Sequence, residues 1–157
     1  SVLCESIAAD PALQAKVERV LDACEFSGVA MAEFRSDGRQ RWLMEFNARL
    51  WGSVQLAIDA GVDFPTLLVE AALGAPAAPA PRYQVGVRSR WLLGDLDHAL
   101  ALARGATGSD GRAGAGAALA VLLRPTPGAC RLDNPRRGDV RPFLRELREW
   151  LRAIARG

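Results

Sequence analysis

Leu13, Val17, Val20, Leu21 and Cys24 recur three or four residues apart, with Asp10-Pro11 standing just before them. That spacing predicts a helix from Pro11 to about Cys24, capped by Asp10 and with proline at its first position. The pattern then changes period. Gly28 to Arg35 and Arg41 to Asn47 read as strands, and Ser36 to Arg39 supplies the turn between them. Ser53 is placed to cap a short helix through Ala60 that Gly61 ends; Asp63 and Pro65 open another through Leu73 that Gly74 closes. Ala75 to Pro81 cannot form a regular element, because its prolines remove donors and fix φ. Tyr83 to Leu92 alternates apolar and basic residues like a strand, and Asp95 to Arg104 is a short helix. Gly105 to Gly116 is rich in Gly, Ala and Ser and is expected to be mobile. A short apolar stretch, Ala117 to Leu123, precedes an irregular segment to Gly138. From Asp139 to Arg156 a helix is predicted, with Phe143, Leu147, Trp150, Leu151 and Ile154 on one stripe.

Composition adds limits rather than direction. With 157 residues, 50% of them hydrophobic, the chain can bury a core, and a net charge of +2 does not argue for nucleic acid. Lys16 is the only lysine among 20 basic residues, a bias that looks like GC-rich coding. Cys4, Cys24 and Cys130 are scattered without metal-ligand spacing, which favours a reducing, cytoplasmic setting. No apolar run approaches the roughly 18 residues of a spanning helix, and no membrane association is expected. The strand-like opening, Ser1 to Ile7, starts abruptly, and the chain is expected to be a piece of a longer protein.

The candidate chemistry lies on the strand pair. Glu33, Glu45 and Asn47 share odd parity, so an odd-length hairpin loop would bring all three to one face. Met44 and Phe46 would then point the other way, into a core. A one-residue slip in register would move Glu45 off the face of Glu33. Two carboxylates and an amide oxygen make a hard, oxygen-only site suited to Mg²⁺ or Mn²⁺, with the remaining ligands drawn from water and phosphate. The bland alternative is a polar-faced hairpin whose charges sit in water. Against it, the acidic residues interrupt strongly apolar runs, where an unpaired carboxylate is costly.

Arg49 offers a planar donor fork for an anionic oxygen, or equally a salt bridge to Glu33 or Glu45. Arg88 and Arg90 read as a solvated edge more readily than as a substrate site. His98 reads as a surface or packing residue, and the cysteines as small buried hydrophobes. The terminal helix, with arginines at 141, 145, 148, 152 and 156, is expected to dock on its own protein rather than on a membrane.

Segments Gly28 to Phe34, Leu43 to Arg49, Trp51 to Ile58 and Ala60 to Pro65 carry a family likeness. Residues 1–74 resemble the C-terminal part of an ATP-grasp domain of the carbamoyl-phosphate-synthase-like, predicted-carboligase branch. The family motif reads approximately Glu-Ile-Asn-Pro-Arg; this chain keeps Glu45, Asn47 and Arg49 and has Phe46 and Ala48 between them. Resemblance continues faintly through Tyr83 to Trp91.

The resemblance implies an α+β fold, an antiparallel sheet with helices packed on one face, followed by a loop-rich segment and a terminal helix. Residues 1–74 would be the C-terminal ATP-grasp portion and 75–81 a linker. Residues 82–104 would add an accessory strand and helix, 105–138 a flexible segment, and 139–157 an amphipathic helix. It further implies that Glu33, Glu45 and Asn47 ligate magnesium, with Arg49 catalytic near the γ-phosphate and acyl phosphate. ATP and a carboxylate would be the substrates of the full-length ligase, with an amine or other nucleophile attacking the acyl phosphate. Family members clamp the nucleotide between two subdomains, with lysines and a glycine-rich loop on the earlier one. Lys16 lies on a helix in the wrong segment, so the chain is expected to be inactive alone. The competing expectation is a non-catalytic interaction domain with a remnant acidic hairpin.

Overall fold

The computed structural model describes residues 3–75, 82–107, 114–123, 130–136 and 138–155. In order these form β1 (Leu3–Glu5), α1 (Pro11–Ala23), β2 (Met31–Ser36), β3 (Arg41–Asn47), α2 (Val54–Ala60) and α3 (Phe64–Ala72). Then come β4 (Arg88–Arg90), α4 (Leu92–Ala103), α5 (Ala115–Leu122), β5 (Cys130–Leu132) and α6 (Arg141–Ile154). The fold class is α+β. Its strands divide between two small sheets, an antiparallel pair β2-β3 and a three-stranded sheet of order β1-β4-β5. Two compact units follow, Ser6–Gly86 and Ser1–Glu5 with Val87–Gly157.

In the first unit α1 starts where Asp10 accepts hydrogen bonds from the N–H groups of Ala12 (2.9 Å) and Leu13 (3.2 Å), with Pro11 at the first position. Asp63 starts α3 likewise, accepting from the Thr66 N–H at 3.1 Å. Ser53 precedes α2 as expected, but its hydroxyl makes no capping bond. Gly61 ends α2 at φ 107, a conformation that L side chains avoid. Val29, Ala60 and Val62 are buried here, and Trp51 meets Phe64 edge-on with ring centroids 5.0 Å apart.

The expected strand from Tyr83 to Leu92 is shorter than its alternating pattern. Gln84 N–H donates to the Ala60 carbonyl at 2.8 Å, Tyr83 OH to the Ile7 carbonyl at 2.8 Å, and Ser6 Oγ to the Gln84 carbonyl at 2.7 Å. Those bonds commit the stretch to loop structure, and Gly86, at φ 85, breaks the extended run before β4 begins.

In the second unit β4 is the central strand, not an edge. It runs antiparallel to β1, with Cys4 opposite Ser89, and parallel to β5, with Ser89 opposite Arg131. Helix α4 begins at Leu92 and packs on α5 through Ala99, Leu102 and Ala118. The segment 105–138, expected to be flexible, thus contains α5 and β5. Alanine-rich composition favours the helix, and β5 is set by pairing with β4 rather than by a pattern of its own. Residues 108–113, 124–129 and 137 of that segment, and 76–81 of the linker, lie outside the described residues.

Candidate metal and phosphate site

The hairpin β2-β3 is anchored at its far end. Asp37 Oδ1 accepts from the N–H groups of Gln40 (2.7 Å) and Arg39 (2.8 Å), and Ser36 Oγ accepts from Gly38 N–H (3.1 Å). The bonds from Gln40 and then Arg39 hold the Asp37 carboxyl below the usual carboxylate range. Arg41, the first residue of β3, donates from Nη1 to Asp10 Oδ2, so the helix cap and the strand start share one ion pair. This guanidinium is the largest cause holding Asp10 below its ordinary value, followed by the Leu13 N–H.

Register decides the site. Ser36 pairs with Arg41, Arg35 with Trp42 and Phe34 with Leu43; the ladder then shifts, and Glu33 pairs with Glu45, Ala32 with Phe46 and Met31 with Asn47. The loop, residues 37–40, is even in length, contrary to the odd loop expected. Alone it would set Glu33 against Met44. A β-bulge with Met44 as the extra residue restores the parity. Met44 consequently does not enter a core and is 58% exposed, whereas Phe46 is half-buried opposite Ala32.

Glu33, Glu45 and Asn47 therefore share one face, as the parity of the sequence anticipated. Side chains directly opposite in an antiparallel pair have Cβ atoms about 4.5–5.5 Å apart, and like charges so placed repel. Glu33 and Glu45 are both exposed, and Asn47 is half-buried. Asn47 Nδ2 donates to Glu45 Oε1 at 2.6 Å. With its nitrogen so committed, the amide keeps Oδ1 as a donor atom for a cation.

Arg49 forms no salt bridge with either glutamate among the described residues; its Nη1 donates to the Leu50 carbonyl at 3.1 Å. Nor do the described residues gather three His, Cys, Asp or Glu side chains that could hold a metal. The donor set is two carboxylates and an amide, all hard oxygens, and it leaves positions for water and phosphate. That fits a magnesium-sized cation.

The chain matches the family described as ATP-grasp in the biosynthetic pathway with Ter operon over residues 3–93. It belongs to that ATP-grasp family. The matched stretch contains the whole hairpin, α2, α3 and β4. Neither the curated proteins nor the solved structures give a match.

The other candidates are occupied elsewhere in this ATP-grasp chain. Arg88 Nε donates to Glu5 Oε2 at 2.8 Å, and that bond holds the guanidinium more firmly in its charged form. Arg90 Nε donates to Asp95 Oδ2, a carboxylate only 3% exposed. Both arginines serve the sheet. His98 is exposed on α4. No cysteine is in a disulfide, and Cys24 is exposed rather than buried. No helix among the described residues is long and apolar enough to cross a membrane. Sequence reasoning missed the bulge at Met44 and the Asp10–Arg41 pair; the doubled apolar run Leu43-Met44 before Glu45 was the one available signal for the bulge.

Proposed function

We propose that this chain forms the metal- and phosphate-binding wall of an ATP-grasp ligase, in the C-terminal part of the catalytic domain. The observation that carries the reading is the direct opposition of Glu33 and Glu45, with Asn47 bonded to one of them. Glu33, Glu45 and Asn47 Oδ1 would hold Mg²⁺ or Mn²⁺. When bound, such a cation neutralises charge on the transferring phosphate. Arg49 sits on an exposed turn directly after the strand, and exchanging the Leu50 carbonyl for a phosphate oxygen would give its guanidinium a charge-assisted bond.

In the reaction class this supports, a carboxylate oxygen attacks the γ-phosphorus of ATP, ADP leaves, and an acyl phosphate results. An amine or other nucleophile then attacks the acyl carbon and expels phosphate. The hairpin contributes position: the bulge fixes both carboxylates, and the Asn47 amide orients Glu45.

The test is Mn²⁺ binding to the chain by electron paramagnetic resonance, wild type against Glu45→Gln, joined to ATP-dependent ADP release by the full ligase. The substitution should abolish both. ADP release retained within about threefold, ~0.65 kcal/mol of barrier, would instead favour a solvated structural hairpin, the reading that the exposure of both carboxylates supports.

A further inference from the structure

Helix α6 lies beyond the family match and has two working faces. One is engaged with its own unit. Trp91 Nε1 donates to Glu146 Oε1 at 2.7 Å, Asn134 Nδ2 to Glu146 Oε2 at 3.1 Å, and Trp150 Nε1 to Asp97 Oδ1 at 2.6 Å. The expected docking of the terminal helix is thus real but partial. Val140 (51%), Leu144 (57%) and Leu151 (53%) remain exposed. At about 100° per residue these three fall on one line along the helix.

A second line runs beside it. Arg141, Arg145, Arg148 and Arg152 follow the i, i+4, i+7, i+11 spacing of a single ridge, and all are exposed. Arg145 pairs with Glu149 at 3.1 Å in open solvent, an arrangement of little worth. Arg141, Arg148 and Arg152 have no ion pair among the described residues. The apolar strip is therefore bounded on one flank by four arginines and on the other by the helix's own docked face.

We propose that this strip and ridge form a docking surface for an acidic amphipathic helix of a partner protein. The asymmetry of the rim selects the occupant. A helix lying on an anionic membrane buries one broad apolar face with its cations on the polar face opposite; here the apolar strip is narrow, and one flank is closed by the Glu146 and Trp150 contacts. A second copy packed antiparallel through the same strip would bring arginine ridge against arginine ridge, a repulsive isologous contact. A partner helix with leucines on one face and carboxylates beside them satisfies both lines at once, the helix-in-groove mode.

The probes are two labelled synthetic helical peptides sharing one leucine seam, one flanked by glutamates and one by lysines, titrated into the full chain by fluorescence anisotropy. The glutamate peptide should bind, at least tenfold tighter than the lysine peptide. Leu144→Glu should abolish binding, and Arg148→Glu with Arg152→Glu should invert the preference; these side chains are exposed, and circular dichroism should show the helix content retained. Equal binding of both peptides, or of neither, overturns the proposal. So does Leu144-dependent dimerisation in light scattering, or Leu144-dependent sedimentation with vesicles containing phosphatidylglycerol.

Discussion

Glu33 stands opposite Glu45 because Met44 is an extra residue in β3. The even loop and the bulge compensate, so the two carboxylates meet although the simple ladder would separate them. Deleting Met44 removes the bulge but keeps the meeting, since Glu45 then follows Leu43 and falls opposite Glu33. Deleting Leu43 together with Met44 should place Glu45 opposite Phe34 and so turn it to the other face. Mn²⁺ titration should therefore give the Met44 deletion an affinity near wild type and the double deletion no measurable binding.

Repulsion across the same pair predicts a sign change. Without divalent cation, Glu45→Gln should stabilise the hairpin by roughly 0.5 kcal/mol, because like charges directly opposite destabilise a sheet by about 0.2–1 kcal/mol. With Mg²⁺ in excess the substitution should become destabilising, because only wild type gains from ligand binding. Thermal unfolding with and without Mg²⁺ checks it; a Tm difference of the same sign in both conditions counts against the site.

Asn47 acts both as an oxygen donor and as the group that orients Glu45. Asn47→Ala removes both at once and should weaken Mn²⁺ binding by about 10–100-fold, the range for losing a group that orients a metal ligand. An unchanged affinity in the same titration would leave Asn47 with a structural role only.

That Glu45 and Asn47 share a face was legible because side-chain parity along one strand needs no tertiary information; Glu33 joins them only because the bulge offsets the even loop. The helices α1, α2 and α3 were legible from local chemistry: Asp10-Pro11, Gly61, and Asp63 with Pro65 act within one turn. The bulge was not, because an even loop and an extra residue cancel and leave the parity of Glu33 and Glu45 unchanged. Strand β5 and the central place of β4 were missed for a different reason. Cys130–Leu132 and Arg88–Arg90 are too short to show a period, and pairing across more than forty residues of chain defines them. Basic residues suggested an edge for β4 because their partners, Glu5 and Asp95, are supplied by other elements.

The Asp10–Arg41 pair predicts a pH dependence. Asp10 is held below the ordinary carboxylate value in the folded chain, so its contribution is complete above the unfolded value of about 3.9. That contribution is lost as pH falls through the lower folded value. Arg41→Gln removes the largest cause, and the Asp10 carboxyl should then titrate closer to its ordinary value, leaving the Leu13 and Ala12 N–H groups as its remaining support. Carboxyl ¹³C chemical shifts followed between pH 2 and 6 read this directly.

Asp95, in the first turn of α4, is 3% exposed and pairs with Arg90. Replacing Asp95 takes one compensating charge away from the Arg90 guanidinium, and breaking a buried pair costs up to about 3–5 kcal/mol. Asp95→Asn, which keeps the shape, should therefore lower the urea midpoint of the chain strongly, and replacing Arg90 and Asp95 together by apolar residues should recover part of the loss. A double variant as unstable as the sum of the singles would show that the two side chains do not act as a pair.

Gly94 and Gly116 make a matched contrast in two helices. A Cβ added at Gly94 would overlap the ring of Trp91 at Cε3, while one added at Gly116 would meet nothing within 4 Å. Trp91 cannot move aside freely, because its Nε1 is bonded to Glu146. Gly94→Ala should therefore displace the indole and break that bond, costing about 1–3 kcal/mol as overpacking does. Gly116→Ala, in the open helix α5, should stabilise by up to about 1 kcal/mol, because glycine is a poor helix former. Tryptophan emission separates the two: Gly94→Ala should shift it, and Gly116→Ala should not. If Gly94→Ala leaves both the emission and the Tm unchanged, Trp91 does not tie α4 to α6.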